Sequence, residues 1–329
     1  MPGGVTGREV AIAFAKFAAN SWGVAASVTK GIFFASDGGL KLSPDIIEDD
    51  AFGQTFIRAH DVGNVQAPAV NFAGRARYDD HSYIWDAVAM GSPATVSIST
   101  SATGQVTSWL HVMDLAKNIN GLGLTIAIDK TLYVEELTSA KVHGFDIENG
   151  QGGMMQQTWR TIGSKTTNIS SVNINSTVGG ASFPALSNRI LMKHGTFRMN
   201  AQGGGSLGST DAVQAESIKL AFNRPQDAPF VFGQDYVVEP ADNGFPTATL
   251  EVTYPRMNTT SANSLYASLR DATAYKADWT FLGSYINSTD QYKRLFQFPY
   301  LQLTAFEAPV AGANQVKPRY QLRAMVVRP

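Results

Sequence analysis

The stretch Leu122-Gly123-Leu124-Thr125-Ile126-Ala127-Ile128 places a large aliphatic residue at every second position. Successive side chains of a β-strand point to opposite faces, so this spacing collects Leu122, Leu124, Ile126 and Ile128 on one side and predicts a half-buried strand. The same period recurs through Val96–Ile98, Ile218–Leu220–Phe222, Leu250–Val252–Tyr254 and Tyr320–Leu322–Ala324–Val326. Near the start, Val10, Ile12 and Phe14 alternate with small residues and read as a first strand. Turn signals separate the runs: Asp37-Gly38-Gly39, Asn120-Gly121, Asn149-Gly150, Gly203-Gly204-Gly205 and Asp242-Asn243-Gly244. The chain therefore reads as mainly β.

Helical periodicity is confined to two short segments. Asp80 to Met90 has Asp79 or Asp80 as its cap, Tyr83, Ile84, Ala87 and Val88 on one face, and Gly91 as its stop. Ser261 to Asp271 has Ser261 as its cap and Leu265, Tyr266 and Leu269 on one face. A strand-like segment precedes each helix, Val70 to Tyr78 and Leu250 to Arg256. Strands, a loop and a closing strand follow each, the last running through Trp159 in one case and Tyr320 in the other. The two copies of this order lie about 180 residues apart, as an internal duplication would leave them. Identity between the halves is slight, so two unrelated β domains remain the alternative. The expectation is two tandem β-sandwich or barrel units, each with one short helix, plus long loops or arms. The first unit covers 1–165 and the second 188–329, joined by a Ser-, Thr- and Asn-rich linker at 166–187. Residues 37–68 form a long segment with few alternations but several apolar residues (Ile46, Ile47, Phe52, Phe56 and Ile57). Loops of that length are uncommon inside compact domains and usually functional, and the apolar content predicts that this one packs against something.

Composition narrows the function classes. The 329 residues include 26 basic and 27 acidic ones for a net charge of −1, which does not suit a reader of nucleic-acid phosphates. No cysteine is present, which excludes disulfide scaffolds, iron–sulfur clusters, thiolate zinc sites and cysteine nucleophiles. Charged residues make up 16% of the chain against about 25% in ordinary soluble proteins. So sparse a charge suggests that partners cover part of the surface. The apolar stretch Val10 to Ala19 is interrupted by Lys16 and too short to span a bilayer, so no membrane insertion is expected.

No catalytic constellation emerges. His60, His81, His111, His143 and His194 show no pairing at metal-ligand spacing, and the adjacent acids Asp49-Asp50, Asp79-Asp80 and Glu135-Glu136 are poorly spaced for joint work on one strand face. Gly203-Gly204-Gly205-Ser206-Leu207-Gly208 fits both a dinucleotide fingerprint and a nucleophile elbow. It lacks the α/β context of the first and the downstream histidine of the second, and it reads as a Gly-rich hairpin loop. The basic and aromatic residues of Tyr292-Lys293-Arg294-Leu295-Phe296 read as a strand edge with snorkelling cations. Catalytic residues, cofactors and metals are all expected to be none.

Three segments carry a family likeness: Leu132 to Val142 leading through the Gly-rich turn to Trp159–Ser164, Phe296 to Leu303 followed by the strand at Tyr320, and Thr177 to Leu186. Together they resemble the major tail tube proteins of long-tailed, siphovirus-like bacteriophages over nearly the whole chain. The resemblance implies β units flanked by one helix each, closed into rings that stack into a hollow tube. It implies a structural virion protein made in the host cytoplasm, not an enzyme. DNA would cross the lumen, acid-lined in many members, without specific binding, and tape measure and terminator proteins would be partners. Two units per chain would let three copies fill six places as a trimeric ring with pseudo-sixfold symmetry; a true hexamer with one unit outside is the competing arrangement. The segment 37–68 would then reach a neighbouring ring and bury Phe52 and Phe56. The alternative function is another β-type virion protein: a capsid-decorating, baseplate or adhesin component.

Overall fold

The period-two runs become strands because each sets one apolar row against the next in an antiparallel ladder. A computed structural model describes residues 10–17, 21–36, 44–48, 60–65, 69–91, 94–100, 106–131, 133–150, 153–169, 178–256, 266–310 and 316–324. The first half contains β1 (Ala11–Lys16), β2 (Lys30–Ile32), β3 (Phe34–Ser36), β4 (Pro44–Glu48), β5 (His60–Val65) and β6 (Ala69–Arg75). Helix α1 (Ser82–Met90) follows, then β7 (Ala94–Thr100), β8 (Val106–Val112), β9 (Leu124–Asp129), β10 (Val134–Asn149), β11 (Gln156–Gly163) and β12 (Thr166–Ile169). The second half contains β13 (Gly195–Ala201), β14 (Ser217–Asn223), β15 (Gln226–Asp227), β16 (Ala241–Asp242) and β17 (Thr247–Thr253). A helix α2 at 266–270 precedes β18 (Ala274–Tyr285), β19 (Gln291–Glu307) and β20 (Arg319–Ala324). The protein is mainly β, dominated by one large antiparallel sheet.

That sheet carries one strand order twice. In the first half the neighbours run β1-β9-β10-β11-β6-β3, and in the second β13-β18-β19-β20-β17-β14. Each series places its first strand beside the first main-sheet strand after the helix, its longest strand third in the order, and β3 or β14 at the far edge. Strand β2, one residue before β3, pairs with β1. The registers repeat as well. Ala140 pairs with Gly163 and Leu301 with Ala324, the same displacement in both strands (301 − 140 and 324 − 163, each 161). The ladder slips between Val142 and Gly144 in one half and between Leu303 and Ala305 in the other, again 161 apart (303 − 142). On the opposite side, β10 slips between Leu137 and Ala140 against Ile126 and Leu124, while β19 slips between Phe298 and Leu301 against Ala277 and Tyr275. Each long middle strand is thus bent by two bulges at matching positions and serves different neighbours on either side of the bend. Hairpins decorate this frame: β4–β5 lies between β3 and β6, β15–β16 between their counterparts β14 and β17, and β7–β8 follows α1.

Several expectations need correction. The decisive run is not half-buried: Leu124 to Ile128 is buried on both faces. Leu124, Ile126 and Ile128 join the main core, while Ala127 packs with Ala13, Val28, Val134 and Val178 in a second, smaller cluster. The chain at 24–29 and around Val178 supplies that second cover, with the Ala26 N–H donating to Thr125 Oγ1 at 2.9 Å. Helix α1 starts two residues later than expected, because Asp80 turns back to accept the Ser82 N–H at 3.0 Å and the Arg77 N–H at 2.9 Å. Its inward face centres on Trp85, Val88 and Ala89; Tyr83 instead stacks on His111, with centroids 3.9 Å apart. Trp85 is large enough to reach Phe14, Phe34, Phe72 and Trp159, all with ring centroids 5.3–5.7 Å away, and this edge-on cluster fills the first half. Gly91 ends the helix as expected, at φ +141°.

Of the second helix, Ser261 and Leu265 lie outside the described residues; Leu269 packs on the core, but Tyr266 is exposed. The Gly-rich loop at 203–208 leads from β13 into a short antiparallel return instead of a full strand, with Ala212 bridging Arg198 and the Val213 N–H donating to the Phe197 carbonyl at 2.8 Å. The long segment 37–68 holds the β4–β5 hairpin, and Phe52 and Phe56 lie outside the described residues. Within 166–187, β12 pairs with the start of β10 and Val178 is buried.

Candidate functional site

The halves meet edge to edge. Beyond its second bulge, β10 carries β11 on one side and β14 on the other, with pairs running from Gly144–Asn223 to Asn149–Ile218. Gly144 is required there, because a Cβ would lie 2.6 Å from both the Phe222 carbonyl oxygen and the Arg160 guanidinium. Phe145 stacks on Phe222 with centroids 5.1 Å apart. Arg160 pairs with Asp146 and donates to the Phe222 carbonyl at 2.7 Å, so it grips both strands of the seam. The bulged His143 offers its carbonyl to the Arg224 N–H at 2.7 Å, which extends the seam by one bond.

Buried charges reinforce this seam from two sides. Asp86 on α1 accepts hydrogen bonds from Gln157 at 2.6 Å and Trp159 at 2.8 Å, and pairs with Arg294 of β19 at 2.8 Å. Arg294 also donates to Gln157 Oε1 at 2.8 Å and Ser82 Oγ at 3.2 Å. Burial pushes the Asp86 carboxyl up, against the opposing pull of Arg294. Arg294, its side chain 15% exposed, is therefore a largely covered tie between the halves and not the snorkelling cation its sequence neighbours suggest. On the other flank, Lys141 is fully buried and donates to the Ile119 carbonyl and to Glu239, at 2.6 and 2.7 Å. Burial lowers its ammonium, and Glu239 opposes that shift. Trp22 Nε1 donates to the Val237 carbonyl at 2.9 Å, and Arg224 forks onto both Asp242 oxygens at 2.8 and 2.6 Å. The excursion between β14 and β17 is thereby fastened at its base to the first half. Its tip exposes Phe230, Val231 and, completely, Phe232, with Phe245 also open.

Two unlike strand edges face away from the rest of the sheet. β3 pairs with β6 alone, and past Gln302 the side of β19 that β18 has covered carries no strand among the described residues. Phe306 and Glu307 there stand 161 positions after Phe145 and Asp146 (306 − 145, 307 − 146), aromatic for aromatic and acid for acid. Neither the seam nor these edges was singled out from sequence as a site.

The histidines are dispersed. His194 meets the Tyr78 hydroxyl at 3.3 Å in an open groove also lined by Asn188 and Gly283, and burial raises that hydroxyl to about 12, so it stays protonated. Among the described residues no group of three or more His, Asp or Glu is placed to hold a metal ion, and no helix is long and apolar enough to cross a membrane. In comparisons with known proteins, no family model and no curated protein matches the chain.

Proposed function

We propose that this chain is a structural virion protein that polymerises into stacked rings forming a hollow phage tail tube. One observation carries the reading: the two halves share a strand order, a register and a pair of bulges, as two equivalent building blocks of one ring wall would. On this reading the halves are tandem tail-tube β units descended from one ancestor, and three chains complete a pseudo-hexameric ring. The sparse charge supports it, because stacking covers the sides and faces of each subunit. Near-neutral charge also suits a duct that lets DNA slide past without holding its phosphates. The protein would then act without catalysis or cofactor, in the virion, with tape measure and terminator proteins at the tube's core and end.

Electron microscopy of the concentrated protein tests this. Hollow tubes with about three chains per ring repeat, measured as mass per unit length, are the expected result. Six chains per repeat would reject the pseudo-hexamer, and discrete particles without a lumen would favour another β-type virion component.

A further inference from the structure

The seam between β10 and β14 joins the middle strand of one half to the edge strand of the other. Because the strand order repeats, the chain presents the same two elements a second time. The second half's middle strand is β19, and the first half's edge strand is β3. The stretch of β19 that answers to the seam is Ala305–Glu307, and β18 stops short of it at Gln302. β3 terminates the strand order at the end opposite β13. Phe145 is 4% exposed beneath Phe222, whereas Phe306 is only partly buried. The two edges therefore differ from each other, and among the described residues each lacks the partner that its counterpart has within the chain.

We infer that one copy of this chain joins the next head to tail, by repeating between molecules the seam that β10 and β14 make within one. The occupant of the β19 edge is the β3 end of a second copy, and the inference rests on the ring-forming role proposed above. A contact between unlike surfaces propagates, and it closes into a ring if the rotation closes and runs on as a filament otherwise. A two-fold dimer would need each edge to pair with its own kind, and nothing in the repeated order provides that. The joint between copies is looser than the one inside. Ala305 stands where Gly144 lets the strands approach, so its Cβ holds the incoming backbone further away. Pro309 follows two residues after β19 ends and has no N–H to give, which keeps the joint short and guards the edge against indiscriminate pairing.

Thiol cross-linking reads this directly, since the chain has no cysteine of its own. Ala35→Cys in one copy and Val310→Cys in another place one thiol at each edge, to be bridged by a short bismaleimide in the assembled protein. Glu148→Cys with Lys219→Cys, directly paired across the internal seam, is the control and closes within one chain. The expected result is covalent dimer when the two single variants are mixed, none when either is treated alone, and a ladder from the double variant. If the copies assemble by light scattering and microscopy and the control closes, yet Ala35→Cys and Val310→Cys never link, the edge pairing is wrong while the ring-forming role stands. If the copies never associate, both readings fall.

Discussion

Phe145 and Phe306 occupy one position in two strands bent by the same pair of bulges, yet they meet different fates. The first is sealed by Phe222 and flanked by the Arg160–Asp146 pair. The second packs on the core from one side only, beside an exposed Glu307–Arg319 pair. Neither propensity nor register distinguishes them. Burial along a middle strand is decided by which edge strand arrives beside it, so the contrast between the two phenylalanines measures how complete each seam is.

The widest gap should appear on truncation. Phe145→Ala empties a closed site and should cost about 3–5 kcal/mol in denaturant unfolding of the isolated chain. Phe306→Ala removes less buried surface and should cost about 1 kcal/mol there, while raising the concentration at which the protein assembles. Equal costs in the isolated chain would mean that the β19 edge is already closed. A smaller contrast concerns the neighbouring position. Gly144→Ala drives a Cβ toward the Phe222 carbonyl and should cost about 1–3 kcal/mol by forcing the internal seam apart. The reverse change, Ala305→Gly, should lower the isolated chain's stability by roughly 0.5–1 kcal/mol and yet lower the concentration needed for assembly. Weaker assembly of Ala305→Gly would separate the two strands' roles.

The smallest effect is electrostatic. Burial raises the Asp242 carboxyl, but the hydrogen bonds and charge of Arg224 outweigh it and hold the group below its ordinary value. A depressed carboxyl contributes stability above its unfolded pKa, about 4, and loses it as pH falls through the folded value. The clamp that extends the internal seam should therefore weaken below about pH 4, by on the order of 1 kcal/mol. Urea midpoints of the wild type and Asp242→Asn should converge across that range, whereas parallel curves would show that the clamp contributes nothing.

The strands were legible because alternation is a local property. Ile126 and Leu322 announce their inward face whatever surrounds them. The double burial of Thr125 and Ala127 was not legible, since their cover comes from residues about a hundred positions earlier and some fifty later. Arg294 was misread for the same reason: its partner Asp86 lies 208 positions away, and nothing beside it in sequence signals an acid. The repeat showed as an order of elements, but its matching registers did not. Backbone hydrogen bonds make no demand on side-chain identity, so Trp159 and Tyr320 can hold one place in the ladder without any conserved motif. Of the candidate site, Phe52 and Phe56 lie outside the described residues, and the seam at Phe145 was legible only as part of a strand.

The order in which the strands are made has a consequence for which edges stay open. The exposed flank of β10 could in principle accept an edge strand from any molecule. β14 follows it on the same chain, tethered by residues 150–216, and so competes at an effective concentration on the order of millimolar. Free copies present during synthesis would have to exceed that to intrude. β19 emerges late, and the counterpart edge strand of its own chain, β3, terminates the strand order on the far side of the first half, so its flank waits for a second copy. Connectivity alone thus sorts two equivalent docking sites into one filled at birth and one kept for company.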